Sequence, residues 1–321
     1  SGMIIPRYAN TGEDCGSATH GTIRRHHSFG LLISTPFYKI MRLLTLNTHS
    51  LVEPDYEAKR KFFVDFIAKE QPDVFALQEV NQTASAPAMP IPLADYCPCS
   101  GNRILLKEDN HAAAVAQMLK EEGVHYYWSW LPAKIGYDKY DEGMAIFSRM
   151  PITATENLLL SRTDDYHYWK TRRALGICAG DVWYYAVHMG WWKDEEEPFK
   201  AQWETFLKNT KSLMEKKETS LWVMGDFNSP ASVRGEGYDL VRVGGFKDTW
   251  DLAEKKDAGF TAPPKIDGWK EAEGKSPEQG MRIDYIWHWG DINIEESRVL
   301  CNGKREPAVS DHYAVMIKTG I

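Results

Sequence analysis

The chain reads as an α+β protein of layered build, with sheets inside and helices outside. Strand-like apolar segments outnumber amphipathic helical ones and are interspersed with them, the pattern of stacked layers rather than of a bundle. No internal repeat, low-complexity tract or linker divides the 321 residues into two domains. Hydrophobic residues make up 43% of the chain and charged residues 26%, an ordinary globular composition. A chain of this length buries roughly three quarters of its unfolded surface, so its core needs no staples.

The orderly pattern starts at Met41. MRLLTLN is a strand that ends in the polar Asn47. After Pro54 and Asp55, Tyr56–Lys69 places Phe62, Phe63, Phe66 and Ile67 on one helical face, and Pro72 marks the end. DVFALQEV is the next strand, with Glu79 near its end. Residues 82–103, with four prolines, Cys97 and Cys99, form a long loop. Asp109 is expected to cap a helix that runs to Gly123. HYYWSW and EGMAIFSR are strands, and RALGICAG and DVWYYAVHM pair as a hairpin across Gly180-Asp181. Glu195–Lys217 is a surface helix with Pro198 in its first turn. LWVMGDFN is a buried strand, followed by short helices around Tyr238 and Asp251 and a loop over 257–280. RIDYIWHW, INIEESRVL and SDHYAVMIK complete the strands.

Residues 1–40 are expected to form an N-terminal extension, poorly ordered, ahead of a single domain over 41–321. Ser1-Gly2 resembles a cloning remnant. The stretch Phe29–Tyr38 is apolar but short, is broken by Pro36, and lacks a small-residue cleavage site. No apolar run approaches the roughly 20 residues of a membrane span. The five cysteines are odd in number and scattered, which fits reduced thiols and a cytoplasmic location. A net charge of −7 weighs against nucleic acid as a partner, since such proteins carry a basic footprint.

Chemistry gathers at the strand ends. Glu79 follows the apolar run within Asp73–Leu77, and a lone carboxylate with nearby amides is how Mg²⁺ is held, alongside waters and substrate phosphate oxygens. Mn²⁺ is the expected substitute. Asn47 would add an amide oxygen; a turn-forming Asn is the plain alternative. Asp226 and Asn228 emerge together from the strand Leu221–Met224. One suits a base toward water and the other a donor to a phosphoryl oxygen, with an Asx turn as the bland reading. Asp284 opens the RIDY strand, and a buried carboxylate there needs a partner, for which His312 is the candidate. Such a pair keeps an imidazole charged and oriented toward an anion. Asp311 stands beside His312 in the segment VSDHYAVMIK. His188 ends YYAVHM, with Glu142 as its expected partner; a structural histidine is the alternative. Arg172 and Arg173 offer guanidinium forks that match phosphate oxygens. Trp191, Trp192 and Trp269 are candidate platforms for a sugar face, and Arg234 and Glu236 candidates for sugar hydroxyls, though they read equally as a surface pair.

In this order, MRLLTLN, QEV, EGMAIFSR, VHMGWW, GDFN, RIDY and SDH resemble the endonuclease/exonuclease/phosphatase superfamily from Met41 onward. The resemblance implies a four-layered α/β sandwich, two mostly antiparallel sheets flanked by helices. It implies Glu79 as the principal Mg²⁺ ligand, with Asn47 and Asp311 close to the metal. Asp226 would polarise the attacking water, Asn228 would steady the phosphoryl group, and His312, oriented by Asp284, would neutralise it. His188 matches the second histidine of the deoxyribonuclease and sphingomyelinase branches, with Glu142 as its partner; the abasic-site endonuclease branch lacks that histidine.

The intervening segments LNTHS, IGYDKYDEG, VHMGWWKDEEEPFKAQW, GDFNSPASVRGEGYDL, IDGW and MRIDYIW resemble the maltose 6′-phosphate phosphatases of Gram-positive bacteria. This implies hydrolysis of a sugar phosphate monoester to maltose and phosphate in the cytoplasm. The rival of the same fold is a phosphodiesterase, a nuclease or sphingomyelinase. The rival of another class is a catalytically silent binding protein, which predicts loss of one of Glu79, Asp226, Asn228 or His312; all four are present.

Overall fold

Parallel strand pairs at the centre of each sheet bring the ends of consecutive strands to one edge, and this sets the architecture. The computed structural model describes residues 40–90, 93, 95–216, 219–266, 269 and 279–320. The extension expected over residues 1–40 lies outside them except for Ile40.

The strands are β1 (Arg42–Asn47), β2 (Val74–Thr83), β3 (Tyr127–Gly136), β4 (Tyr140–Ser148), β5 (Ile152–Leu159), β6 (Arg173–Ala179), β7 (Val182–His188), β8 (Leu221–Asp226), β9 (Lys247–Asp248), β10 (Lys255–Lys256), β11 (Asp284–Trp289), β12 (Ile294–Leu300) and β13 (Ala314–Thr319). The helices are α1 (Tyr56–Glu70), α2 (His111–Glu121), α3 (Phe199–Met214), α4 (Gly237–Val243) and α5 (Thr249–Leu252). One sheet has seven strands in the order β10-β12-β13-β1-β2-β4-β3; the other has six, β5-β6-β7-β8-β11-β9. Antiparallel pairing dominates, with β1–β2, β7–β8 and β10–β12 parallel.

Alternation along the strands explains the four layers. Leu43, Val74, Ala76 and Ile146 of one sheet meet Ile177, Ala186, Trp222 and Met224 of the other in a central apolar cluster. Leu44, Leu46, Phe75 and Leu77 point the opposite way, into a cluster with Phe63, Val64 and Ile67 of α1 and Val115 and Leu119 of α2. Val223, Tyr285 and Trp287 do the same on the second sheet, against Phe199, Trp203 and Phe206 of α3 and Val241 of α4. Strands covered on both faces read as continuous apolar runs, which is why these segments stood out in the sequence.

Several local expectations shift. Phe62 is 49% exposed; the buried stripe of α1 is Phe63, Val64, Phe66 and Ile67. Asn110, not Asp109, caps α2 by accepting the Ala113 N–H, while the Asp109 carboxylate accepts the Thr83 N–H. The helix expected over Glu195–Lys217 is shorter, with Pro198 at its N-cap. The Gly180-Asp181 turn has φ of 58° and 62°, the primed geometry that two-residue hairpins require.

Candidate active site

The parallel registers place Asn47 beside Gln78 and His188 beside Asp226. The antiparallel β8–β11 register sets Asp284 opposite Asp226. The ends of β1, β7 and β8 and the start of β11 therefore converge beside a cavity of about 230 Å³. A bulge between Leu77 and Val80 interrupts the β2–β4 ladder, and Glu79, at φ 51°, turns there into the cavity it lines. Bulges of this kind re-aim a side chain at a site.

Asn47 is the hinge of the carboxylate cluster. Its Nδ2 donates to Glu79 Oε1 at 2.9 Å and to Asp226 Oδ2 at 3.1 Å. Removal from solvent, reinforced by the charge of Glu142, pushes the Glu79 carboxyl up to about 7. Burial likewise raises Asp226 to about 6, with Asp284 adding to it and His312 opposing. His312 Nδ1 lies 2.9 and 3.1 Å from the two Asp284 oxygens, and its Nε2 lies 3.7 Å from Asp226 Oδ2. Burial disfavours its charge, but Asp284 and Asp226 outweigh burial and raise it to about 10. His312 is thus an imidazolium at neutral pH.

His188 is its opposite. Its Nε2 lies 3.5 Å from Asp226 Oδ2, yet burial and the charges of Arg172 and Lys134 hold it well below its ordinary value. The expected Glu142 partnership is not made. Lys134 lies directly across the β3–β4 ladder from Glu142, and its Nζ sits 3.1 Å from Glu142 Oε1. Asn228 is fixed on three sides. Its N–H donates to Asp226 Oδ1 at 2.8 Å, its Nδ2 to Met189 O at 2.9 Å, and its Oδ1 accepts Trp269 Nε1 at 3.1 Å.

Of the two arginines, Arg172 belongs to the cavity and Arg173 does not. Arg172 is 4% exposed and lines the cavity, and its Nε has no hydrogen-bond partner among the described residues. Arg173 is bound to Asn157 and Asp164 at the surface. Trp191 lines the cavity; Trp192 packs instead beside Phe199 against the α3 cluster. Arg234 is engaged by Asp239 on an exposed loop. Glu236 is the N-cap position of α4 without a capping bond from its side chain. Both are absent from the cavity lining among the described residues.

Five residues were not anticipated: His49, Glu53, Lys134, Tyr137 and Trp169. His49 Nδ1 lies 2.7 Å from Glu53 Oε1 and 3.9 Å from Asp311 Oδ1. Burial opposes its charge, but the Glu53 hydrogen bond and the charges of Glu79 and Asp311 prevail and raise it to about 9. The only sequence signal for it was its place two residues after Asn47 in LNTHS.

The donor set fits a hard divalent cation. No lysine or arginine among the described residues pairs with Glu79, burial and the charges of Glu142 and Asp311 raise its carboxyl against the opposing charge of His49, and Asp311 lines the same cavity. Oxygen donors in this number suit Mg²⁺ or Mn²⁺. His49, Glu53 and Asp311 also bring one ligand atom each within 4.8 Å of one another.

A model of the Endonuclease/Exonuclease/phosphatase family matches residues 44–312. Among solved structures, the chain is similar to an endonuclease/exonuclease/phosphatase family protein from Leptotrichia buccalis C-1013-b. The identity is 28% and the TM-score 0.72, over 88% of this chain and 100% of that one. It is similar in fold to a mannosyl-6-phosphatase from Bacteroides thetaiotaomicron VPI-5482, at 16% identity and TM-score 0.57 over 88% of this chain and 100% of that one. It is also similar in fold to truncated TDP2 from Caenorhabditis elegans, at 16% identity and TM-score 0.56 over 88% and 98% of the two chains. No curated protein matches the sequence. The family match over residues 44–312, on a sandwich whose strand ends carry these carboxylates and imidazoles, shows that the chain belongs to the endonuclease/exonuclease/phosphatase family and is a metal-dependent hydrolase of phosphoric esters.

Proposed function

We propose that this protein is a Mg²⁺-dependent phosphatase of a phosphorylated sugar, with maltose 6′-phosphate as the substrate and maltose and phosphate as products. The observation that carries the monoester reading is the buried Arg172 guanidinium, whose Nε has no hydrogen-bond partner among the described residues, lining the cavity beside the imidazolium of His312. A phosphate monoester is a dianion near neutral pH, and desolvated cations in a small cavity favour it over a singly charged diester. A cavity of 230 Å³ is of the order that accepts a phosphoryl group and one ring, since about 150 Å³ accepts benzene. The choice of maltose rests on the likeness of the intervening segments, and the solved mannosyl-6-phosphatase shows this fold serving a sugar phosphate.

Glu79, with Asn47 and Asp311 beside it, would hold Mg²⁺, which supplies Lewis-acid stabilisation of phosphoryl and leaving oxygens. Asp226, raised to about 6, takes a proton from the water that attacks phosphorus. The P–O bond to the sugar breaks in line, and the departing alkoxide takes a proton from solvent. His312, Arg172, Lys134 and the Asn228 amide hold the charge spread over the phosphoryl oxygens, and neutral His188 adds a hydrogen bond. Positioning and electrostatics of this kind need no covalent enzyme nucleophile. Ser310 has no such role: its Oγ donates to Asn47 O at 2.7 Å. No helix among the described residues is long and apolar enough to cross a membrane; the free thiols Cys97, Cys99, Cys178 and Cys301 support the proposed cytoplasmic setting.

The test measures Mg²⁺-dependent turnover of maltose 6′-phosphate, glucose 6-phosphate, bis-p-nitrophenyl phosphate and plasmid DNA side by side. Rapid cleavage of DNA or the diester with inert sugar phosphates would assign the site to a phosphodiesterase. Asp226→Ala should fold and lose about 10²–10⁴-fold in kcat; retained turnover would place the base elsewhere.

A further inference from the structure

The phosphoryl chemistry leaves one part of the cavity without a task. Most of the cavity lining is charged or polar, but Trp169, Trp191, Tyr137 and Ile266 line it too. Trp169 is 52% exposed and belongs to none of the core clusters among the described residues. It sits on the 160–172 segment that joins β5 to β6.

An exposed indole on a loose loop would mean little, but this loop is fastened on two sides. Glu197, 4% exposed, accepts the N–H groups of Arg162 and Thr163 at 2.8 and 3.0 Å. Lys170 Nζ lies 2.7 Å from Asp194 and 2.6 Å from Glu196. On the other side, Ile135 N donates to Tyr166 O at 2.7 Å, and Tyr166 OH donates to Asp141 Oδ1 at 2.7 Å. The fold thus fixes a large apolar side chain half in solvent at the mouth of a catalytic cavity. Holding it there forgoes the burial of an indole and gains nothing for the core.

Trp169 and Trp191 meet at a ring-centroid distance of 6.1 Å and an interplanar angle of 58°. The Arg172 guanidinium lies 5.8 Å from the Trp191 centroid. The aromatic corner therefore begins where the phosphate-facing guanidinium ends. We propose that Trp169 and Trp191 form the leaving-group subsite, which receives the pyranose ring carrying the scissile phosphate on its apolar C–H face. This rests on the monoesterase reading above. Two tilted indoles cradle a puckered ring, whereas a flat nucleobase stacks on parallel faces. Lys170, whose Nζ lies 5.3 Å from the Trp169 ring centroid, is already committed to Asp194 and Glu196 rather than free for a nucleic-acid backbone.

The experiment compares the full-length wild type with Trp169→Ala and Trp169→Phe. For maltose 6′-phosphate and glucose 6-phosphate, Trp169→Ala should raise KM about three- to tenfold, the scale of one aromatic contact, with kcat little changed. Glycerol 1-phosphate, which has no ring, should be turned over as by the wild type, and Trp169→Phe should recover most of the sugar-phosphate KM. Equal losses on the acyclic and cyclic esters, or no change on either, would overturn the proposal. Saturation-transfer NMR with free maltose is independent of the reaction. Signals from the sugar that vanish in Trp169→Ala support the subsite even if the wild type proves to be a diesterase. No maltose signal in the wild type, or a stronger one from adenosine, rules it out.

Discussion

His312 owes its charge to two carboxylates, and removing one makes its protonation visible. With Asp284 and Asp226 in place it is raised to about 10 against the penalty of burial. Asp284→Asn keeps the shape, deletes the larger raising charge and leaves the burial, so the imidazole falls toward or below its ordinary value of about 6.5. A charged group with a lowered pKa is lost as pH rises. The variant should therefore show kcat/KM falling between about pH 6 and 8, where the wild type shows no such limb from this group. An unchanged pH profile would mean that His312 does not act as an imidazolium. The residues of this network were legible because each ends or opens an apolar strand, as Asn47, Asp226 and Asp284 do. Lys134 was not, because it stands inside β3. What keeps a cation buried there is Glu142, brought opposite by the β3–β4 register, and no local pattern announces a cross-strand pair. The same register explains why the expected Glu142–His188 pair fails. Trp192 and Trp191 are adjacent in sequence, and only packing separates the one in the α3 cluster from the one in the cavity.

At the scale of elements, the site depends on how closely β7 and β8 run. Gly225 has φ of 146°, and a Cβ there would meet Val187 O at 2.0 Å. The contact is with backbone of the neighbouring parallel strand, so it cannot be relieved by turning a side chain. Gly225→Ala must shift one strand or break the Val187–Gly225 register, and Asp226 follows directly. Strain at a special backbone position and a clash in the core act together, so the loss of stability should be at least about 2 kcal/mol, read from the urea midpoint, with activity lost in the fraction that stays folded. A midpoint within error of the wild type would show that the pair has slack. The sequence marks GDFN as a strand end but carries no sign of this contact, which arises between segments far apart in the chain. Strand β5 escaped notice for a related reason. ITATENLL is half polar and mostly only partly buried, so its apolar signal is weak, and its place is set by pairing with β6.

Across the whole molecule, two groups of buried residues pull the pH dependence of stability in opposite directions. His111 is lowered to about 3 by burial and the charge of Arg60, and His288 to about 4, chiefly by burial. Below about 6.5 the unfolded chain takes up protons at these positions and the folded one does not, so stability falls as pH drops toward 4, by up to ~1.4 kcal/mol per pH unit per group. Glu79 and Asp226 act the other way. Their carboxyls are raised to about 7 and about 6, so the folded state binds protons first and gains stability as pH falls from 7 toward 4.5. That second contribution belongs to the metal-free protein. A divalent cation adds positive charge beside the buried carboxylates, keeps both ionised and binds only the folded state, which raises stability by mass action. Mg²⁺ should therefore raise the Tm at pH 7.5, and the increment should shrink at pH 5, where protons compete for the same oxygens. In EDTA the two carboxyls offset only part of what the lowered histidines, His188 among them, take away, and the Tm should fall only modestly between pH 7 and 5. In Mg²⁺ the histidines act alone and the Tm should fall clearly. Glu79→Gln should abolish the Mg²⁺ increment while His288→Gln leaves it intact and flattens the acid fall. Thermal unfolding at the two pH values, with Mg²⁺ or EDTA, decides it: an increment that is equal at both, or that survives Glu79→Gln, would show that the cation binds somewhere other than this carboxylate cluster.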